Sequence, residues 1–134
     1  MKYRIFDHTG DVGVIVYGKN FVEILGNSLL AVFDLVFPGS KPSADIIADV
    51  TVQGKSKEEI LVNLLSRVIS LVDSEGTIYH DLAEATFFTN GAKVRLKGMR
   101  IVEGMEYEYV LKAVTYHDLE VNLTGGYARI LFDI

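Results

Sequence analysis

The sequence predicts an α+β fold, a single domain of two helices packed on a largely antiparallel β-sheet, and three observations carry that expectation. Two long segments, roughly 21–37 and 58–76, repeat apolar side chains at helical spacing, and each follows a capping signal. From about residue 77 onward the chain is strand and turn only. With 134 residues, 49% of them hydrophobic, there is enough apolar surface for one core but too little chain for two, so one domain over 1–134 is expected.

Taken in order, "YRIF" (3–6) and "VGVIVYG" (12–18) alternate apolar positions as strands do, and "DHTGD" between them reads as the turn of an opening hairpin. Asn20 followed by Glu23 resembles a capping box, and "FVEILGNSLLAVFDLVF" then runs as a helix until Pro38-Gly39 stops it. A polar loop, "PGSKPSAD", leads to the alternating strand "IIADVTVQG". Ser56 and Glu59 form a second capping box ahead of "EEILVNLLSRVISLVDSEG", with Gly76 as its C-cap. The runs "TIYHDLAEATFFTNG", "AKVRLKGMRIVEG", "YEYVLKAVTYHDLEV" and "GGYARILFDI" complete the strands, with Asn90-Gly91 and Gly125-Gly126 as hairpin turns. No internal repeat, low-complexity stretch or linker is read.

Composition removes several classes of function. No run approaches the roughly 20 apolar residues of a membrane span, and "MKYRIFDHTG" lacks the apolar centre of a signal peptide, so a soluble, cytoplasmic protein is expected. The absence of cysteine excludes disulfides and thiolate metal sites, leaving carboxylate, imidazole and carbonyl groups as ligands. A formal charge of −5 argues against binding nucleic acid directly, because phosphate binders carry surplus Lys and Arg. Any role near RNA would then run through a protein partner. No Gly-x-Ser-x-Gly elbow, P-loop or dinucleotide fingerprint is present.

Three short segments could carry chemistry. "DHTGDVG" (7–13) gathers Asp7, His8 and Asp11 around a turn; "KAVTYH" (112–117) sets Lys112, Val114 and Tyr116 on one strand face and Ala113, Thr115 and His117 on the other; "LFDI" ends in Asp133 and the α-carboxylate of Ile134. Singly, each has an ordinary explanation, since turn aspartates bond the local backbone and strand histidines are commonly structural. "KSKEE" (55–59) reads as a solvated helix start, and Tyr107 and Tyr109 as packing residues. Two carboxylates about 4 Å apart at an effective dielectric near 20 repel by about 4 kcal/mol, which calls for a cation or solvent. If the first hairpin meets the last strand, Asp11, Asp133 and Ile134 form an oxygen cluster suited to Ca²⁺, Mg²⁺ or Mn²⁺, although spacing alone does not say which strands are neighbours. A nearby His8 or His117 would tilt the preference toward Mn²⁺ or Zn²⁺.

The start "YRIFDHTGDVGVIVYG", the helical "LLAVFDLV" (29–36) and "EEILVNLLSRVISLVDSEG" (58–76), the strand "LKAVTYHDLEV" (111–121) and the terminal "ILFDI" follow one another as they do in the archease family, which the chain resembles from end to end. That resemblance implies a protein cofactor of the RtcB-type RNA ligase, which joins 2′,3′-cyclic phosphate or 3′-phosphate ends to 5′-hydroxyl ends in tRNA splicing and RNA repair. Archeases promote guanylylation of the ligase and its multiple turnover without joining RNA themselves. The resemblance carries the family's metal-binding aspartates to Asp11 and Asp133, its terminal carboxylate to Ile134 and its functional lysine to Lys112, while His8 and His117 fall on matching motif positions. The family usually has Glu where this chain has Asp7, Ala where it has Gly10, and often a tryptophan within the segment read here as "VNLLSRV". Two other readings of the same carboxylates stay open on the residues alone: a metal-dependent hydrolase and a general chaperone or adaptor.

Overall fold

The computed structural model describes residues 1–134. Its strands are β1 (Tyr3–His8), β2 (Asp11–Tyr17), β3 (Ile46–Gln53), β4 (Thr77–Phe88), β5 (Gly91–Arg100), β6 (Ala113–Asn122) and β7 (Tyr127–Asp133); its helices are α1 (Phe21–Val36) and α2 (Lys57–Glu75). The α+β class and both helices are as the sequence predicts. The strands, however, form two antiparallel sheets, one ordered β1-β2-β7-β6 and the other β3-β5-β4. Each helix touches both sheets, and a single cluster of 31 buried residues draws on the apolar faces of both helices and both sheets.

Both helices begin by the same local chemistry. The Asn20 side chain accepts from Glu23 N at 2.9 Å while the Glu23 carboxylate accepts from Lys19 N; Ser56 Oγ accepts from Glu59 N at 3.1 Å while Glu59 accepts from Lys55 N. One turn deeper, Asn27 and Asn63 each donate at 2.7 Å to the last carbonyl of the preceding strand, Tyr17 O and Gln53 O. A Cβ at Gly18 or Gly54 would stand 2.8 Å from the backbone nitrogen of Ile24 or Ile60, so both tight strand-to-helix turns require glycine. The matching strings are "GKNFVEILGN" (18–27) and "GKSKEEILVN" (54–63), a short internal repeat where none is expected from the sequence pattern. It extends into the sheets: β2 pairs with β7 as Val16 with Ala128, and β3 pairs with β5 as Val52 with Ala92. Beyond the turn and cap the two copies also match at buried apolar positions, where Val14, Val16, Ile24 and Leu25 correspond to Val50, Val52, Ile60 and Leu61.

Two further differences concern backbone partners. Residues 101–112, expected to lead into a strand from "YEY", are irregular because they serve the end of α1 instead: Glu108 N donates to Val36 O at 2.8 Å and Tyr109 N to Leu35 O at 3.3 Å. Those carbonyls have no partner within the helix. The β4–β5 turn consists of Thr89 and Asn90, and Gly91 already pairs with Phe88 as the first residue of β5. Glycine is needed there because a Cβ would collide with Val52 O of β3, which is a demand of the sheet and not of the turn.

Candidate metal centre

Burial fixes which way the first sheet faces. Val12, Val14 and Val16 of β2 and Ala128, Ile130 and Phe132 of β7 are fully buried toward the helices, so the alternate residues point to the opposite face. Directly opposed residues in an antiparallel pair share a face. His8 stands opposite Asp11, Asp11 opposite Asp133, and Asp133 opposite Ala113, which makes a row across β1, β2, β7 and β6 on the face away from the helices. The first hairpin and the last strand do meet, and at the two aspartates. Ile134 follows at the rim, 40% exposed.

Asp7 does not join this row. It pairs with Val12 and therefore points to the face that His8 and Asp11 avoid. Lys112 comes to the same end of the sheet by its backbone, where its N–H donates to Asp133 O at 2.9 Å. Its side chain is exposed and borders a cleft with Ser66, Ser70 and Asp73 of α2, one residue out of phase with Ala113 and so on the other side from Asp133.

A like-charge pair facing across a sheet is unfavourable, and the second sheet shows how this chain neutralises one. There Asp49 stands opposite Arg95, which hydrogen-bonds it at 2.9 Å and also lies 3.6 Å from Glu84. That hydrogen bond, with the charge behind it, holds the Asp49 carboxyl below its ordinary range and raises Arg95. Asp11 and Asp133 have no such partner: none of the chain's ion pairs brings a lysine or arginine to either. Two unneutralised carboxylates at an exposed sheet end are a donor set that fits a hard divalent cation.

The histidines approach from both sides. His8 Nδ1 lies 3.5 Å from Asp11 Oδ2, within ion-pair reach, and this buried nitrogen has no hydrogen-bond partner. The His117 ring meets the His8 ring edge-on at 6.0 Å between centroids, and its Nε2 lies 3.4 Å from Asp118 Oδ2. Simple alternation already puts His117 on the face of Ala113 and Thr115, which is the face of His8 and Asp11, and around it the strand forms a large bulge in which residues 116–119 stand opposite Ile130 alone. Alternation fails there, so Tyr116 is exposed although Val114, on its predicted face, is buried. Asp118 takes a positive φ of 52° within the bulge. Its place beside two histidines was not anticipated, and the only sequence signal for it is an aspartate, a residue that tolerates the left-handed conformation, directly after His117.

This is a small domain of two helices shared between two antiparallel sheets, with an acidic and imidazole-bearing edge where the N-terminal hairpin meets the C-terminal strand. Its family is identifiable. The model of the "Archease protein family (MTH1598/TM1083)" matches residues 3–134, and the chain belongs to that family. It is similar to "Protein archease" of Thermoplasma acidophilum, 38% identical over the whole chain and 94% of the relative, and to that of Thermoplasma volcanium, 37% identical over the whole of both. The fold matches the solution structure of Methanobacterium thermoautotrophicum protein 1598 with a TM-score of 0.77 at 24% identity, covering 99% of each chain. No helix is long and apolar enough to cross a membrane.

Proposed function

We propose that this chain is an activator of an RtcB-type RNA ligase, promoting guanylylation of the ligase and its multiple turnover without joining RNA itself. The observation that carries the proposal is the Asp11–Asp133 pair, two directly opposed carboxylates with no lysine or arginine in ion-pair reach, at the exposed edge of a chain that belongs to the archease family. Asp11, Asp133 and the terminal carboxylate of Ile134 would hold a divalent ion, calcium, magnesium or manganese, which when bound supplies positive charge toward phosphate oxygens. The protein's own part is geometric. Register holds the two aspartates on one face, and the Lys112 backbone bond ties the β6 strand to the same end. The exposed Lys112 ammonium, on the neighbouring side, is the group for a ligase carboxylate or a nucleotide phosphate.

A net charge of −5 suits docking to a ligase lined for RNA, with RNA reached only through that partner. Activation requires that the chain bind the nucleotide-transfer conformation of the ligase more tightly than its alternative. The test is single-turnover guanylylation of a cognate ligase with GTP and Mn²⁺, comparing no addition, the wild-type chain and Asp133→Asn. Acceleration by wild type alone is expected. An active ligase that ignores the wild-type chain would overturn the activator reading, whereas phosphoester turnover by the chain alone, lost in Asp133→Asn, would replace it with a hydrolase.

A further inference from the structure

We infer that the chain has a second, imidazole-based cation site, formed by His8, His117 and Asp118, that takes a borderline divalent transition metal such as zinc or cobalt and is separate from the carboxylate pair. This inference goes beyond the ligase reading and does not depend on it. One ring nitrogen from each histidine and a carboxylate oxygen of Asp118 all lie within 4.8 Å of one another. Around a tetrahedral zinc with bonds of about 2.0–2.1 Å, donors stand roughly 3.4 Å apart, so small side-chain rotations close the set. Three protein ligands would leave one position for water or for an oxygen of a bound partner.

Two observations show that these groups are arranged for more than mutual contact. The first is the orphaned nitrogen. His8 Nδ1 is buried without a hydrogen-bond partner and sits 3.5 Å from Asp11 Oδ2. A histidine that ligates a metal commonly turns its other nitrogen to a carboxylate, which sets the tautomer and strengthens the donor. A small ring rotation that turned Nδ1–H onto Asp11 would leave the lone pair on Nε2. Asp11 would thus hold a hard cation with Asp133 and orient His8 for a softer one.

The second is the bulge. The cross-strand alternation of β6 is broken over residues 116–119, and this break, with Asp118 at a φ of 52°, lets Asp118 join His117 on the face where His8 of the far edge strand β1 stands. Bulges of this kind re-aim side chains. No other group of three histidine or acidic side chains in the chain brings its donors this close. Imidazole donors favour zinc, cobalt or manganese over calcium and magnesium, so the two sites would differ in the ion they select.

The test uses untagged, chelator-stripped protein titrated with Co²⁺, read by its visible absorption, in the presence and absence of saturating Ca²⁺. Wild type should bind one Co²⁺ that Ca²⁺ does not displace. His117→Ala and Asp118→Gly should each weaken Co²⁺ binding by about 10-fold to 100-fold or more, judged against what loss of even an indirect metal contact does, and leave Ca²⁺ binding unchanged. Asp133→Asn should do the reverse. Both substituted positions are exposed, and Asp118→Gly also relieves the positive φ, so a folded variant is expected and circular dichroism checks it. Displacement of the Co²⁺ by Ca²⁺, or undiminished Co²⁺ binding by folded Asp118→Gly or His117→Ala, would overturn the inference.

Discussion

Replacing Asp133 by Asn removes one of two carboxylates that face each other across β2 and β7, and its effect on stability should change sign with the presence of a divalent ion. Directly opposed side chains have Cβ atoms about 4.5–5.5 Å apart. At about 5 Å, two unit charges repel by roughly 0.8 kcal/mol in fully water-like screening and by about 3 kcal/mol at an effective dielectric of 20. Asp133 is exposed and Asp11 half-buried, which places the repulsion near the lower figure, about 1 kcal/mol. In EDTA the variant should therefore melt about 3–6 °C higher than wild type. With Ca²⁺ at about 100 times its dissociation constant, wild type should gain about 2.7 kcal/mol and overtake a variant that gains little. Thermal melts followed by circular dichroism, with EDTA or CaCl₂, read all four states. A variant no more stable than wild type in EDTA, or one stabilised by Ca²⁺ as strongly as wild type, would refute the idea that the two aspartates are a repelling pair that a cation joins.

Two other substitutions test the framework around that edge. A Cβ at Gly13 would collide with the outer edge of the Phe6 ring, which stands opposite it with the Arg129 guanidinium 4.4 Å from the ring centre, so Gly13→Ala should cost about 1–3 kcal/mol in denaturant melts, and adding Phe6→Ala should recover part of the loss in a double-mutant cycle. Asp34 lies in the last turn of α1, where the helix dipole is negative and no basic residue answers it, and burial raises its pKa. A folded pKa above the unfolded one means that the native state is fully favoured only below the ordinary value of 3.8 and loses stability as pH rises through the raised value. Asp34→Asn should accordingly be more stable than wild type by about 0.3–1 kcal/mol at pH 7, with the difference vanishing below pH 3.8 in a series of urea melts.

Much of the local structure was legible because it is decided within a few residues. The apolar period of 21–36, the Asn20–Glu23 and Ser56–Glu59 caps and the Gly76 stop each satisfy backbone groups of their own segment, and they need nothing from the rest of the chain. The candidate residues Asp11, Asp133, His8 and His117 could also be named from the sequence, since clustered carboxylates and imidazoles are recognisable by type. Their grouping could not. Asp11 and Asp133 lie near opposite ends of the chain, and they become neighbours only because burying Val12 and Phe132 sets the β2–β7 register. The same packing turned Asp7 away, drew residues 101–112 to the end of α1 and divided the strands between two sheets. Asp118 shows the limit most sharply. Residue alternation along a regular strand says nothing about a bulge, and the bulge brings Asp118 beside His117 and His8, because which residues face one another in a sheet is a property of the pairing and not of either strand.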